Sequence, residues 1–109
     1  LLRRAHIASE RRIVIGPVVL DSNTYTVSRG EQVLELPKKE FELLYKLLSY
    51  PGQIFTRNQL LDDIWGFDSE SGEDTVKTHI SRLRNKLRAI EEFRIITIKG
   101  LGYKAEVLE

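Results

Sequence analysis

The sequence contains no cysteine and no long apolar run, and both absences narrow the possible classes of protein. Without cysteine, the chain can form neither a disulfide nor a thiolate-based zinc site. The absence of cysteine fits a reducing compartment, and we expect a cytoplasmic protein. No apolar stretch approaches the roughly 20 residues that a membrane-spanning helix needs, and no signal peptide is recognisable. With 109 residues, the chain has the length of one domain.

An overall excess of charge of one sign is also missing, since 17 basic residues balance 16 acidic ones. The charges are unevenly distributed along the chain. Residues 31–74 hold ten acids and four bases, whereas residues 75–104 hold eight bases and two acids. The change falls within the segment EDTVKTHISRLRNKL, which carries only positive charge after its first two residues. The net charge therefore says little about partners, whereas the distribution of the charges says more.

Short apolar segments dominate both ends of the chain and predict β-structure. Near the N-terminus, turn signals such as Gly16-Pro17 and Arg29-Gly30-Glu31 separate these segments. The predicted strands span residues 13–15, 18–20, 25–28 and 33–36. Four strands at this spacing indicate an antiparallel meander. Near the C-terminus, the segments RIITIK, GLG and YKAEVL predict a β-hairpin.

Three helices are predicted between these β-regions. The first begins with Pro37 in its first turn, shows apolar residues at helical spacing, and ends at Pro51-Gly52. The second begins with a capping box, Thr56-x-x-Gln59, and ends near Gly66. The third is predicted to span about residues 73–88, with acids at its N-terminus, where the helix dipole favours negative charge.

The third helix divides into an apolar face and a polar face when its residues are placed at about 100° intervals. The apolar face, which must contact the core, consists of Val76, Ile80, Leu83 and Leu87. The opposite face consists of Thr78, Ser81, Arg82 and Asn85. Mostly cationic residues flank this face, with Lys77, Arg84 and Arg88 on one side and His79 and Lys86 on the other. This arrangement is typical of a helix that reads the DNA major groove, because Arg can recognise guanine, Asn can recognise adenine, and flanking cations can contact phosphates.

A cationic helix is more often only a solvated surface, but three features favour DNA recognition. The flanks lack the acids that would form pairs four residues apart. A short capped helix precedes the cationic one, as in a helix-turn-helix. The C-terminal hairpin carries Lys99 next to a glycine-containing turn, and residues 97–104 are predicted to form a wing at the minor groove or the backbone. An alternative remains open, in which a winged helix docks an acidic protein without reading bases.

Several segments resemble the effector domain of OmpR/PhoB-family response regulators, over roughly residues 13–107. They are YTVSRGEQVLEL, LELPKKEFELLYKLLSYPGQIFTRNQLLDDIWG, DTVKTHISRLRNKL and IITIKGLGYK. The resemblance implies an α+β fold: a winged helix-turn-helix with an N-terminal four-stranded antiparallel sheet, three helices and a C-terminal hairpin wing. Residues 1–12 would then be a linker and the end of a receiver-domain helix, and residues 13–109 the winged-helix domain. The implied protein is the output half of a two-component regulator, with a histidine kinase acting on a receiver domain absent from this sequence.

The resemblance also assigns DNA contacts to individual residues. Base reading is assigned to Lys77, Thr78, Ser81 and Arg82, to which the polar face adds Asn85. Contacts with the DNA backbone are assigned to Arg57, Trp65, His79, Arg84, Thr97 and Tyr103, to which the cationic flank adds Lys86. Lys99 occupies the wing position that reaches the minor groove. Some relatives have Asp in place of Lys77 and a second Arg in place of Ser81, so the resemblance transfers no target sequence.

The remaining expectations concern partners and chemistry. In similar proteins the loop before the third helix touches RNA polymerase, so Asp68 and Glu70 are hypothesised to do so; the alternative is a solvated connector. The resemblance further implies a head-to-tail dimer on a direct repeat of promoter DNA.

We predict no enzymatic activity, cofactor or metal site. His79 and Ser81, two residues apart on a helix, do not face each other, and the acidic loop lacks the alternating ligands of a calcium loop.

Overall fold

The N-terminal part of the chain forms a meander in which each strand pairs with the next one. In a computed structural model, which describes residues 12–66 and 72–108, the strands pair antiparallel in the order β1-β2-β3-β4. They are β1 Arg12–Ile15, β2 Val18–Asp21, β3 Thr26–Arg29 and β4 Gln32–Glu35. The prediction of a four-stranded antiparallel sheet is therefore confirmed. Residues 1–11, which include most of the predicted linker, lie outside the described residues.

Tyr25 lies just before β3 rather than in it, which differs from the predicted strand. Its φ angle of 56° falls in the left-handed region, where a residue with a side chain costs about 1 kcal/mol. Two contacts offset this cost. The Leu36 N–H donates a hydrogen bond of 3.1 Å to the Tyr25 carbonyl oxygen, and the Tyr25 ring meets the Phe41 ring edge to face at 5.5 Å. Tyr25 therefore links the meander to the first helix.

Three helices follow, and each begins and ends within a few residues of the positions that the sequence predicted. They are α1 Lys38–Ser49, α2 Arg57–Ile64 and α3 Glu73–Lys86. Pro37 is the residue before α1 rather than its first helical residue. The capping box of α2 is confirmed, since the Gln59 N–H donates to Thr56 Oγ1 at 3.1 Å and the Thr56 N–H donates to Gln59 Oε1 at 2.9 Å. Helix α3 ends at Lys86, two residues earlier than predicted.

The apolar face of α3 is buried, as the helical spacing predicted. Val76, Ile80, Leu83 and Leu87 are between 0 and 7 % exposed. They belong to one core together with residues of α1, of which the buried apolar ones are Phe41, Leu43, Leu44, Leu47 and Leu48. Val18, Leu20 and Val27 contribute to the same core from the meander. No helix in the part of the chain that the structure describes is long and apolar enough to cross a membrane.

The C-terminal hairpin is confirmed, but it belongs to a sheet of three strands instead of two. Strands β6 Phe93–Ile98 and β7 Gly102–Val107 form the hairpin. A third strand, β5 Phe55–Thr56, pairs with β7 and gives the order β5-β7-β6. The sequence did not indicate β5, because a strand of two residues has no periodicity to detect. This strand connects the hairpin to the residue that caps α2.

Gly102 allows β5 and β7 to approach each other closely. A Cβ atom at position 102 would lie 1.9 Å from the Phe55 carbonyl oxygen and 2.8 Å from the Thr56 Cα atom. Both atoms belong to the backbone, so neither can rotate away. Only glycine is compatible with this spacing, and the hairpin therefore depends on Gly102 for its attachment to β5.

An ion pair connects the two sheets at the surface. The Arg29 Nε and Nη2 groups donate hydrogen bonds of 3.0 and 3.1 Å to the two carboxylate oxygens of Glu92. Arg29 ends β3 and Glu92 precedes β6. The hydrogen bond from Arg29 lowers the pKa of the Glu92 carboxyl group, and the same bond raises the pKa of Arg29.

We expect Gly102→Ala to lower the free energy of unfolding by at least about 1–3 kcal/mol, because the added methyl group would force β5 and β7 apart. The measurement is chemical denaturation followed by circular dichroism. Gly72→Ala is the matched control, since Gly72 has a φ of −113° and a Cβ atom added there would meet no atom within 4 Å. The control should lose less than about 1 kcal/mol. Equal losses in both variants would contradict the proposed steric role.

Candidate nucleic-acid interface

The outward face of α3 presents polar and cationic side chains to solvent. All five residues predicted to read bases are exposed, namely Lys77, Thr78, Ser81, Arg82 and Asn85. Their direction follows from the burial of the opposite, apolar face. A shallow depression runs along the C-terminal half of this surface, lined by Ser81, Arg82, Arg84, Asn85 and Arg88. The surface therefore combines positive charge with groups that can donate and accept hydrogen bonds.

Arg84 connects one flank of α3 to the second sheet. Its Nε and Nη2 groups donate to the Ile95 carbonyl oxygen at 3.3 and 2.8 Å, and Nη2 also donates to Thr97 Oγ1 at 2.7 Å. The structure thus brings together two residues that were predicted to contact the DNA backbone. These bonds fix the position of the guanidinium group relative to β6. If Arg84 contacts a phosphate, it must do so while keeping these hydrogen bonds.

Lys86, on the other flank, does not have the surroundings that the sequence led us to expect. We predicted a contact with the DNA backbone, but its Nζ atom lies 2.8 Å from Glu40 Oε1 on α1. Lys86 also lines a groove on the domain side of α3, together with Val27 and Leu34 of the meander. The helical angle alone could not reveal this partner, because the partner comes from another element.

Trp65 and His79 form one contact where the end of α2 meets α3. Their rings are 4.9 Å apart and nearly perpendicular, with an angle of 77°. His79 Nδ1 lies 2.7 Å from the Thr75 carbonyl oxygen. Because a carbonyl oxygen can only accept, Nδ1 carries the proton of this hydrogen bond, and Nε2 is the ring nitrogen left for another partner. Lys39 Nζ donates a 2.6 Å hydrogen bond to the Ile64 carbonyl oxygen and so satisfies a free acceptor at the C-terminus of α2, beside Trp65.

The remaining predicted contacts lie at the start of α2 and in the wing. Arg57 is the first residue of α2 and is half-buried. Lys99 is exposed in the wing turn. Gly100 permits this turn because its φ angle is 76°, and the Leu101 N–H donates a 2.9 Å hydrogen bond to the Ile98 carbonyl oxygen across it. Tyr103 pairs with Thr97 across the hairpin but is only 4 % exposed. Tyr103 therefore has very little surface with which to reach a phosphate.

Asp68 and Glu70, predicted to contact polymerase, lie outside the described residues. Across residues 12–66 and 72–108, no group of three or more His, Asp or Glu side chains is arranged to hold a metal ion.

Together, the meander, the α2–α3 pair and the hairpin beside α3 define a winged helix-turn-helix domain. Residues 30–105 match the family described as "Transcriptional regulatory protein, C terminal". This match covers more than half of the chain, and the chain therefore belongs to that family. The resemblance to the effector domains of OmpR/PhoB-family response regulators is confirmed by this match and by the fold.

Similar proteins include regulators whose DNA complexes have been solved. The chain is 41 % identical over 107 residues to the heme response regulator HssR of Staphylococcus aureus, a match that covers 97 % of this chain and 48 % of the relative. The DNA-binding domain of Klebsiella pneumoniae RstA, solved with the RstA box, is 32 % identical with a TM-score of 0.74 and covers 88 % of this chain and 97 % of its own. The AdeR DNA-binding domain, solved with an intercistronic region, is 26 % identical with a TM-score of 0.74, covering 88 % of this chain and all of its own.

We expect Arg82→Ala to weaken binding to a selected DNA site by about 1–3 kcal/mol, because Arg82 lies in the centre of the exposed face of α3. Binding to random DNA should change less. The site is first selected from a randomised duplex pool with the unmodified chain, and affinities are then measured by fluorescence anisotropy.

The matched control is Arg12→Ala. Arg12 is an exposed arginine at the start of β1 in the meander, where it lies 4.0 Å from Asp21. The control should bind both DNAs as the unmodified chain does. Equal losses of affinity for selected and random DNA in Arg82→Ala would show that Arg82 contacts only phosphate.

Proposed function

We propose that this domain binds double-stranded promoter DNA in a sequence-dependent manner and thereby controls transcription. The observation that carries the proposal is the exposed face of α3, where Arg82 and Asn85 lie among further cations while the opposite face is buried. The solved complexes of AdeR and RstA with DNA support the proposal, because both domains share this fold.

Each part of the surface suits one part of a DNA duplex. The major groove admits a helix and displays base edges that Arg82 and Asn85 can recognise. Exposed cations lie where the phosphates would be, namely Arg84 at the flank of the same helix and Arg88 two residues after its end. Lys99, in the wing turn, would reach the adjacent minor groove. His79 could present Nε2 to a phosphate only in the doubly protonated form of its ring, because Nδ1 already holds the proton donated to Thr75.

Salt dependence tests the docking of α3 on DNA. About five to eight cationic contacts should give a slope of roughly −5 to −7 in a plot of log affinity against log salt, because each neutralised phosphate contributes about −0.9. Affinity is measured from low to moderate salt by fluorescence anisotropy. A flat dependence, or equal affinity for selected and random duplexes, would instead favour a domain that docks an acidic protein.

For the whole protein, we propose a two-component response regulator. The chain spans about half the length of the curated relative it matches, whose name describes a response regulator. The part of that relative that this chain does not match would correspond to a receiver domain that a histidine kinase phosphorylates. Such a regulator would act on DNA in the cytoplasm, and its effector domain would have no enzymatic activity. Phosphotransfer from a purified kinase to the full-length protein would test this proposal.

We also propose that two copies bind head to tail on a direct repeat, with half-sites about 10 bp apart, because equivalent faces of the duplex recur once per helical turn. Inserting about half a turn between the half-sites should abolish cooperative binding, since the second copy would then face another side of the duplex. Gel-shift titrations of both spacings provide the measurement. Undiminished cooperativity on the longer spacing would contradict the arrangement.

The loop before α3 is proposed to recruit RNA polymerase through Asp68 and Glu70, whose acidic side chains would be repelled by DNA and attracted by a basic protein surface. Replacing both residues with Ser should reduce transcription at equal promoter occupancy, while DNA affinity stays constant or rises slightly. If transcription follows occupancy alone in a reconstituted assay, the loop is only a connector.

A further inference from the structure

Glu40 is the only charged residue that is buried among the side chains described within residues 12–66 and 72–108, with an exposed fraction of 2 %. It lies in the first turn of α1, on the same side of the helix as Leu43, Leu44 and Leu47. Burying a carboxylate is costly unless a partner of opposite charge compensates it. That partner is Lys86, the last residue of α3, whose Nζ atom is 2.8 Å from Glu40 Oε1.

Among the side chains that the structure describes, polar connections hold α3 on two opposite flanks. Arg84 connects one flank to the Ile95 carbonyl oxygen and Thr97 of β6, and Lys86 connects the other flank to α1. The hydrophobic effect that buries the apolar face of α3 is non-directional. Hydrogen bonds require a defined distance and angle. The two flanking connections can therefore refine the rotation that the packing of the apolar face of α3 permits.

A small rotation would matter for recognition. Side-chain ends lie about 5–6 Å from a helix axis, so a rotation of about 10° displaces them by about 1 Å. This displacement exceeds the tolerance of about 0.5 Å that a preorganised binding site allows. Base-reading side chains such as Arg82 would then lose their alignment, whereas phosphate contacts made by long, flexible side chains would adjust.

We infer that the Glu40–Lys86 ion pair sets the rotation of α3 and that Glu40 and Lys86 are positioning residues for base recognition. Lys86 then contributes through Glu40 and makes no phosphate contact. The inference rests on the proposed DNA-binding function. It assigns to α1, which lies behind α3 as seen from the exposed face, a role in the choice of DNA sequence.

The double variant Glu40→Leu/Lys86→Met tests the inference, because it replaces both charges with apolar groups of similar size. Only the Glu40 end of the pair is buried, since the Lys86 side chain is 35 % exposed. Replacing a buried charge together with its partner by apolar groups is often neutral or stabilising, so the variant should unfold close to the temperature of the unmodified chain. Its affinity for a site selected by the unmodified chain should fall about tenfold, as expected for the loss of one base contact. Its affinity for random duplex DNA and the salt slope on random DNA should be unchanged.

Two single variants serve as controls. Lys86→Arg keeps the charge and can still reach Glu40, so it should retain most of the preference for the selected site. Glu40→Asp keeps every charge but shortens the side chain by one methylene group, so it should lower the preference without changing the salt slope. Glu40→Asp also decides the question if the double variant does not fold.

The measurements distinguish three outcomes that would overturn the inference. A double variant with full preference for the selected site would show that the pair serves stability alone. A loss of affinity for random DNA, with a salt slope less negative by about 0.9, would show that Lys86 contacts a phosphate. An unmodified chain that selects no DNA sequence would overturn the proposed function, and this inference with it.

Discussion

Helix α3 has to bury one face and keep the opposite face free for a ligand, and the surrounding elements satisfy this constraint. The buried face comprises Val76, Ile80, Leu83 and Leu87. Burying each such side chain contributes about 1.5–3 kcal/mol, so burial of this face anchors the helix strongly. Helix α1 supplies the opposing apolar surface. The exposed residues are thus free to differ in identity without affecting the core, which allows one fold to present different base-reading side chains.

The elements that the sequence predicted well are those specified by neighbouring residues. The meander follows from short apolar segments between turns, and α2 follows from the capping box of Thr56 and Gln59. In the Gly102→Ala prediction, by contrast, the decisive contact comes from a residue far away in the sequence. Strand β5 has only two residues and exists because β7 pairs with it. Tyr25 likewise leaves the strand pattern because it contacts Phe41 on another element.

The same difference between local and distant determinants applies to the candidate site. The spacing of residues in α3 placed Lys77, Ser81 and Arg82 correctly on an exposed surface. It also placed Lys86 at a flank, but it could not show that a carboxylate from α1 would approach from that side. One signal was available in the sequence: Glu40 occupies a position on the apolar face of α1, where an acid requires a partner. The burial of Tyr103 had no such signal, because alternation in a short hairpin does not reveal which face is covered.

The pairing of β5 with β7 has a consequence for the order in which the domain folds. Phe55 pairs with Tyr103 across nearly fifty residues, whereas each strand of the meander pairs only with its immediate neighbour. Closing a long loop costs more conformational entropy than forming a hairpin, and contacts between distant residues form late. The meander can therefore form early, while the wing attaches only after α2 and α3 have filled the loop between β5 and β7. Local opening of the pairing between β5 and β7 would release this edge of the hairpin while leaving the pairings of the meander intact.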